Sequence, residues 1–335
     1  MSYRFALIGC GRIASRHAEN ILLNGHLAAV CDNIEAKVSA FALQNQAVPY
    51  SNFRQLLKNE VIDIVSICTP NGMHPAHAIE ALETGHHVLC EKPMAISVKE
   101  GARMLEAARA SGRKLFVVKQ NRYNPPVAAV KRLLDKGSLG RILSFQLNCF
   151  WNRPPAYYRD SWKGTKAMDG GILFTQFSHF VDLLYWFLGE IKTVSGFRSN
   201  ALHQGVIEFE DAGVASIIMQ NGSIGAFNYH INSHLKNMEG SFTLFGEKGS
   251  VRIGGQYLNE IDFFSVDGEE KPLLSAGASS NQYGFYEGSM SNHHIVYHEV
   301  IRALDDPAHQ VVEAADALKS IEMIEQIYAG SPFIE

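Results

Sequence analysis

The chain has 335 residues, of which 46% are hydrophobic and 19% charged, and this composition allows two domains with a full core each. The formal net charge of −4 and the lack of a basic tract argue against a nucleic-acid partner. The sequence shows neither a signal-peptide pattern nor a bilayer-spanning apolar stretch, so we expect a cytoplasmic protein without membrane contact. The five scattered cysteines contain no C-x-x-C pair, which is typical of buried thiols in a reducing compartment.

The first predicted elements are a strand at residues 5–8, a glycine-rich turn and a helix that extends to about residue 24. The turn GCGRIA at residues 9–14 fits the pattern G-x-G-x-x-G/A, which is typical of dinucleotide-binding βαβ units. The first glycine allows a tight turn, the second lets the backbone approach a pyrophosphate, and the helix N-terminus offers unpaired N–H groups to phosphates. The sequence therefore predicts cofactor contacts from Gly9, Gly11, Arg12 and Ile13.

The second predicted strand, at residues 27–31, ends on Asp32, which lies 21 residues beyond Gly11. A carboxylate at this position can accept hydrogen bonds from both ribose hydroxyls of a dinucleotide and repels a 2′-phosphate. The residues that follow, Asn33, Ile34 and Glu35, include no arginine. We therefore expect NAD rather than NADP as the cofactor.

Strands and helices continue to alternate up to residue 119, which predicts a parallel sheet with crossover helices. The predicted strands are at residues 62–69, 87–90 and 114–119, and the predicted helices at 75–84 and 97–110. We expect residues 1–121 to form a doubly wound Rossmann domain that binds NAD.

Polar residues follow the ends of these strands, where ligands of doubly wound sheets bind. Lys92 can donate a hydrogen bond or a proton to a substrate oxygen, and Pro93 can fix an unusual turn or a cis peptide. The segment after residue 69 can border the cofactor or form a capping turn for the next helix. Gln120 is equally placed for substrate or interdomain contacts. The expected cofactor contacts at these strand ends are Thr69, Pro70, Asn71, His74, Glu91, Lys92 and Gln120.

The pattern changes after residue 121, where a helix at 125–135 precedes a series of short strands. The predicted strands are at residues 142–150, 193–198, 205–209, 214–219, 224–232, 240–245, 250–253 and 261–265. Short turns between them predict a large, mainly antiparallel sheet in an α+β domain at residues 122–335. The strands at 214–219 and 226–229 carry apolar residues on both faces, which predicts a homodimer or homotetramer. We expect a loop at 275–291 and helices at 292–304 and 313–329.

The segment from Asp169 to Asp182 reads as one helix after its glycines. In such a helix Thr175 and His179 share one face, and Asp182 is close enough to orient the histidine ring. A histidine held by a carboxylate is a suitable general base for a hydroxyl proton, although a lone helical histidine is more often structural.

Cationic and aromatic residues alternate between residues 151 and 163, a pattern that suits an anionic sugar. The candidate anion contacts are Arg153, Arg159 and Lys163, interleaved with Trp151, Tyr157 and Tyr158. A solvated, proline-bent loop is the alternative. His294 and His298 are spaced for a metal, but no third ligand is evident, so we predict no metal site.

Three motifs together resemble the glucose–fructose oxidoreductase/inositol dehydrogenase/rhizopine-catabolism (Gfo/Idh/MocA) family. They are the GCGRIA turn with Asp32, the triplet Glu91-Lys92-Pro93, and the glycine-led helix with His179 and Asp182. The resemblance implies a Rossmann domain followed by a mainly antiparallel domain, with Lys92 and His179 as catalytic residues. The family's usual aspartate four residues before the histidine is Thr175 here, which argues against an inositol-type site.

The segments 173–179 and 289–293, with Tyr297, resemble a branch of this family that oxidises C3 of UDP-N-acetylglucosaminuronic acid. This resemblance implies an NAD-dependent oxidation to a 3-keto sugar in surface-polysaccharide (lipopolysaccharide) biosynthesis. The expected substrate contacts are Lys92, Arg153, Tyr157, Lys163, Thr175, Gln176 and His179. The alternatives are a dehydrogenase of another sugar or inositol, an NAD-recycling glycoside hydrolase, and a non-catalytic NAD-binding sensor.

Overall fold

The computed structural model of the chain describes residues 2–275, 277, 279–282, 287–306, 308–309, 311 and 314–334. It divides into two compact units, the first formed by Met1–Lys119 with His293–Ile321 and the second by Gln120–Asn292 with Glu322–Glu335. The expected domains, 1–121 and 122–335, stay a prediction, because compactness does not by itself define a functional domain.

The first 117 residues alternate strands with helices, as predicted. The strands are β1 (Tyr3–Ile8), β2 (Gly25–Cys31), β3 (Val48–Tyr50), β4 (Ile64–Ile67), β5 (His87–Cys90) and β6 (Leu115–Val117). The helices are α1 (Ala14–Asn24), α2 (Glu35–Asn45), α3 (Phe53–Asn59), α4 (His74–Glu83) and α5 (Val98–Ser111).

These strands form a parallel sheet in the order β3-β2-β1-β4-β5-β6, which confirms the predicted Rossmann fold. Strand β4 is buried along its whole length, because helices cover both faces of a parallel sheet. The sequence did not predict α2, β3 and α3. Strand β3 has only three residues, two of them exposed, and therefore carries almost no apolar pattern.

The segment from residue 120 to 292 contains a helix, a long sheet and a pair of buried helices. The helices are α6 (Pro125–Lys136), α7 (Ile172–Thr175) and α8 (Ser178–Leu188). The strands are β7 (Ile142–Phe150), β8 (Ile191–Ser199), β9 (Ala212–Met219), β10 (Ile224–His230), β11 (Glu239–Gly246), β12 (Gly249–Gly254), β13 (Glu260–Val266), β14 (Ser280–Gln282) and β15 (Glu287–Met290). Helices α9 (His293–Asp305) and α10 (Ala314–Gly330) follow.

The large sheet has the order β13-β12-β11-β7-β10-β9-β8, with a parallel pairing only between β7 and β10. The predicted mainly antiparallel sheet is therefore confirmed. Along β9 buried and exposed residues alternate, so that one face of the sheet is packed and the other is open. On the packed face Phe242 contacts Phe145 and Phe187 of α8, with ring centroids 6.2 and 5.3 Å apart.

Three local predictions were wrong. Residues 205–209 form turns rather than a strand, because the backbone N–H groups of Val206 and Ile207 both bond to the carbonyl of His203. The expected loop at 275–291 contains β14 and β15, and the expected helix at 172–182 is divided into α7 and α8. Of the expected helix 313–329, Glu313 lies outside the described residues. Within the described ranges, no helix is both long and apolar enough to cross a bilayer.

Candidate active site

The glycine-rich turn of the first unit joins β1 to α1 where the strands of the sheet end. Gly9 has a φ of +91°, and its N–H donates to the carbonyl of Cys31. A Cβ at Gly9 would lie 2.7 Å from the carbonyl oxygen of Cys68, so only glycine fits. A Cβ at Gly11 would meet no protein atom within 4 Å. The space beside Gly11 is therefore open, which fits a pyrophosphate at the N-terminus of α1.

The carboxylate of Asp32 is fixed against this turn. Its Oδ2 accepts a hydrogen bond from the N–H of Cys10, and its Oδ1 accepts one from the N–H of Ile34, both at 2.9 Å. Each carboxylate oxygen has further acceptor capacity, so ribose hydroxyls can bind the same group. The position of Asp32 therefore fits a dinucleotide whose ribose carries free hydroxyls.

His74 links the loops that follow β4 and β5. Its Nε2 lies 2.8 Å from the carbonyl oxygen of Thr69 and its Nδ1 lies 2.7 Å from that of Pro93. Burial lowers the pKa of His74, although both carbonyls act in the opposite direction. His74 thus links these two loops, and its expected contact with the cofactor stays a prediction.

Lys92 lies at the carboxyl end of β5 and is half-buried. Its peptide bond to Pro93 is cis, as the sequence suggested. Its backbone N–H donates to Oε2 of Glu91 at 3.0 Å. Glu91 is buried, so its carboxylate can accept hydrogen bonds both from this loop and from side chains in the protein interior.

In the second unit, His179 lies near the start of α8 and is 4% exposed. Its Nε2 lies 3.2 Å from Nε2 of Gln120 and 3.4 Å from Oγ of Ser289. The Gln120 amide also donates to Ser289 Oγ at 3.2 Å. Two donors at one ring nitrogen favour the tautomer that carries its proton on Nδ1, which leaves the Nε2 lone pair available as a base. Gln120, predicted at the cofactor, is thus placed beside His179.

Asp182 has a strong partner that the sequence did not predict. Its two carboxylate oxygens accept hydrogen bonds of 2.8 Å from Arg122, and both side chains are 3% exposed. The described contacts of the His179 ring are at Nε2, with Gln120 and Ser289. The expected role of Asp182 in orienting His179 stays a prediction.

Thr175 and His179 do not lie on successive turns of one helix, because α7 ends at Thr175 and α8 begins at Ser178. Thr175 Oγ1 donates instead to the carboxylate of Asp169. The other oxygen of Asp169 accepts from the N–H of Gly164 at 2.8 Å. Asp169 is fully buried and was not predicted as a site residue. An acidic residue directly before two glycines was the signal available in the sequence.

The predicted cationic and aromatic residues come together around Tyr157. The guanidinium of Arg153 lies 5.4 Å from the Tyr157 ring centroid, and Nζ of Lys163 lies 5.2 Å from it. Gln176 Nε2 donates to the Tyr157 hydroxyl at 3.5 Å. Gln176 is 3% exposed, and its Oε1 has no hydrogen-bond partner in the described part of the chain. A buried amide oxygen without a donor is a position where a ligand O–H or N–H can bind.

Arg153 is more deeply buried than the sequence pattern predicted. It is 3% exposed, its guanidinium lies 5.0 Å from the Trp151 ring, and Nη1 donates to the Asn237 side chain at 3.2 Å. Lys163 is half-buried. Of the two cations, Lys163 is therefore the one with solvent access for a substrate anion, and Arg153 supports the aromatic rings beneath it.

Sequence models of one oxidoreductase family match most of the chain. The model for an oxidoreductase family with an NAD-binding Rossmann fold (GFO_IDH_MocA) matches residues 3–119, and the GFO/IDH/MocA C-terminal domain matches residues 127–252. These matches confirm the predicted family and fold, an enzyme of the oxidoreductase class, and NAD as the cofactor.

Known proteins similar to this chain act on several sugars. A WlbA dehydrogenase from Bordetella pertussis, solved with NADH and UDP-GlcNAcA, is 34% identical with a TM-score of 0.88, covering 98% of this chain and 96% of that one. A levoglucosan dehydrogenase from Pseudarthrobacter phenanthrenivorans is 28% identical over 63% of this chain and 60% of its own length, which is less than two thirds of that relative. A 2,7-anhydro-N-acetylneuraminate hydratase from Escherichia coli is 27% identical over 75% of this chain and 70% of its own length.

Proposed function

The chain belongs to the Gfo/Idh/MocA family of NAD-binding oxidoreductases, and on that premise we propose that it oxidises C3 of UDP-N-acetylglucosaminuronic acid. The product is the 3-keto nucleotide sugar, an intermediate of surface-polysaccharide biosynthesis in the cytoplasm. The likeness to a dehydrogenase solved with UDP-GlcNAcA supports this substrate.

The observation that carries the proposal is the group formed by Tyr157, Lys163 and Gln176. UDP-N-acetylglucosaminuronic acid carries a carboxylate, a diphosphate and an amide. A half-buried ammonium on an aromatic ring suits an anionic group, and the unpaired oxygen of Gln176 suits a donor such as an amide or a hydroxyl. A neutral polyol has no anionic group that could pair with the Lys163 ammonium.

The reaction removes a proton from the C3 hydroxyl group and a hydride from C3 itself. When bound, NAD supplies the acceptor for the hydride that leaves C3. His179 Nε2 accepts the hydroxyl proton as the carbonyl forms, after the substrate hydroxyl takes the place of Gln120 and Ser289 at that nitrogen. We assign Lys92 the role that the family resemblance implies, donation of a hydrogen bond to the oxygen as negative charge develops.

We also propose that the open face of the large sheet binds a second copy of the chain. Residues that pair across neighbouring strands lie on the same face of a sheet. Two such pairs on the open face are Phe197 with Val214 and Ile218 with Ile224. These four side chains are 57, 44, 41 and 57% exposed. An exposed apolar surface of this kind is typical of a subunit interface.

The direct test measures NADH formation from NAD with UDP-N-acetylglucosaminuronic acid, UDP-N-acetylglucosamine, UDP-glucuronic acid and myo-inositol. We expect the first to give the highest kcat/KM. Lys163→Met should raise the KM for that sugar roughly tenfold or more, because a charge-assisted contact is lost. Lys166→Met is the matched control, since that exposed lysine lies outside the group. A wild-type preference for myo-inositol would contradict the proposal.

A reaction without net oxidation is the second candidate, because one relative is a hydratase. In such a reaction the cofactor would end each turnover as NAD, without net oxidation of the substrate. Net NADH separates the two functions. A dehydrogenase releases one NADH for each keto sugar, whereas a hydratase or hydrolase yields product without a lasting rise in NADH.

A further inference from the structure

A buried polar network in the first unit is not explained by the chemistry of the reaction. Glu91 Oε1 accepts hydrogen bonds from Nε2 of His17 at 2.8 Å and from Nε2 of His293 at 3.2 Å. The side chains of the three residues are 9, 0 and 1% exposed, respectively. Two histidines in the protein interior therefore converge on one carboxylate oxygen.

The carboxylate determines where the protons of this network lie. Burial alone would raise the pKa of Glu91, but the hydrogen bonds from His17 and His293 hold it well below its ordinary value. An ionised carboxylate only accepts hydrogen bonds, so both Nε2 atoms carry protons. Burial lowers the pKa of His293, and its Nδ1 has no hydrogen-bond partner among the described residues, which is the pattern of a neutral ring.

The network continues beyond His17 to the sheet. Nδ1 of His17 lies 2.7 Å from the hydroxyl of Tyr297, which in turn lies 3.0 Å from Oγ of Ser66. The contacts therefore run from Ser66 on β4 through Tyr297 and His17 to Glu91. Hydrogen bonds joined in such a chain polarise and strengthen one another.

The other end of the network is the backbone of Lys92. Glu91 Oε2 accepts the N–H of Lys92 at 3.0 Å. His17 belongs to α1, the helix that begins at the glycine-rich turn, whereas His293 and Tyr297 belong to α9. The network thus joins the cofactor-binding helix, helix α9 and the strand end that carries Lys92, all within one unit.

We propose that His17, His293 and Tyr297 are positioning residues, which hold the Glu91 side chain in place and thereby fix the backbone of Lys92 relative to α1. The cofactor-binding turn and Lys92 are then coupled through one carboxylate. This inference rests on the proposed function, because it takes Lys92 as a catalytic residue. Apolar side chains of similar volume would fill this interior at a lower desolvation cost, so the polar network needs a role beyond stability.

A metal ion is the rival occupant of the same residues. The ligand atoms of His17, Glu91 and His293 all lie within 4.8 Å of one another. Their N···O separations of 2.8 and 3.2 Å are, however, those of hydrogen bonds. We therefore favour protons over a metal at this cluster.

The test uses the full-length enzyme and Tyr297→Phe, which removes one hydroxyl from the network. Tyr3→Phe is the matched control, because the Tyr3 hydroxyl binds Asp305 of α9 outside the network. We expect Tyr297→Phe to lower kcat about tenfold with the sugar KM unchanged, as loss of an orienting partner does elsewhere, and Tyr3→Phe to do neither. His293→Gln keeps an N–H donor and should retain more activity than His293→Leu.

Amide hydrogen exchange gives a readout that does not depend on turnover. In Tyr297→Phe the peptide that spans residues 88–96 should exchange faster than in the wild type, whereas in Tyr3→Phe it should not. If the wild type does not oxidise the nucleotide sugar, the proposed function fails but faster exchange still supports the network. Wild-type kcat and wild-type exchange in Tyr297→Phe would overturn the inference, as would one equivalent of tightly bound metal that His293→Leu loses.

Discussion

Thr175 donates a hydrogen bond to the buried carboxylate of Asp169, six residues earlier in the chain. The position where the family usually has an aspartate therefore holds a neutral side chain that binds a carboxylate next to it. Asp169 also accepts from the N–H of Gly164, directly after Lys163. The Asp169 carboxyl group thus accepts from two donors and connects α7 to the loop of Lys163.

Thr175→Asp should weaken binding of UDP-N-acetylglucosaminuronic acid far more than binding of NAD. The new carboxylate would contact Asp169 and would repel the anionic sugar, and added salt should reduce the part that is Coulombic. Titration calorimetry with each ligand measures the two affinities.

Thr175→Val is the control for the lost hydroxyl. It leaves Asp169 with one donor fewer and should cost about 1–3 kcal/mol of folding free energy without adding charge. If Thr175→Asp binds the anionic sugar as tightly as Thr175→Val does, repulsion does not determine substrate choice.

Lys92→Ala and His179→Asn should each fold and bind NAD but lose most turnover. Removal of a general acid or base typically lowers kcat about 10²–10⁴-fold. Steady-state kinetics with the nucleotide sugar gives kcat, and quenching of intrinsic fluorescence gives the NAD affinity. Near-normal rates in both variants would place the chemistry at other residues.

The sequence predicted those parts of the site that local pattern determines. The glycine-rich turn and Asp32 lie in one βαβ unit, so spacing alone placed them together. Lys92 was identified from its strand end, because parallel strands of a doubly wound sheet present their carboxyl ends to the ligand.

Contacts between distant segments could not be predicted in this way. The break between α7 and α8 at Gln176 and Phe177 was not revealed by the unbroken apolar period of the sequence. Gln120 meets Ser289 and His179 only through the tertiary fold, and Arg122 binds Asp182 from 60 residues away. Hydrophobic periodicity contains no information on such pairings.

The choice of cofactor should depend on Asp32. We expect NAD to bind at least roughly tenfold more tightly than NADP, a difference of about 1.4 kcal/mol. Asp32→Asn is the sharper variant, since it removes the charge but keeps an oxygen for the N–H of Cys10. This variant should reduce the difference between the NAD and NADP affinities by raising the affinity for NADP. Equal affinities for both cofactors in the wild type would refute the assignment.

Glu210 should make the unfolding free energy depend on pH. Burial raises the pKa of this carboxyl to about 7, although hydrogen bonds from Tyr328 and the nearby Arg198 act in the opposite direction. Because the folded state holds the proton more tightly than the unfolded state, this contribution is fully present below about pH 4.5. As the pH rises to about 7 this contribution is lost, and the free energy of unfolding falls by on the order of 3 kcal/mol.

Glu210→Gln should therefore be more stable than the wild type at pH 8 and should lose that advantage at pH 5. Urea denaturation at the two pH values measures the difference. The amide preserves an oxygen for the Tyr328 hydroxyl, so the comparison reports charge rather than shape. Glu208→Gln is the control, since that side chain is exposed. The same advantage at both pH values would show that Glu210 does not titrate in this range.

Ile224→Lys should dissociate the homo-oligomer that we propose for the open face of the sheet. Ile224 is 57% exposed and pairs with Ile218 across neighbouring strands, so a buried interface there would have to accept an unpaired ammonium. Leu43→Lys is the matched control, because Leu43 is 84% exposed on α2 of the first unit. Sedimentation velocity at micromolar concentration should show a dimer or tetramer for the wild type and Leu43→Lys, and a smaller species for Ile224→Lys. A wild-type monomer would contradict the assembly, and an unchanged oligomer in Ile224→Lys would place the interface on another surface.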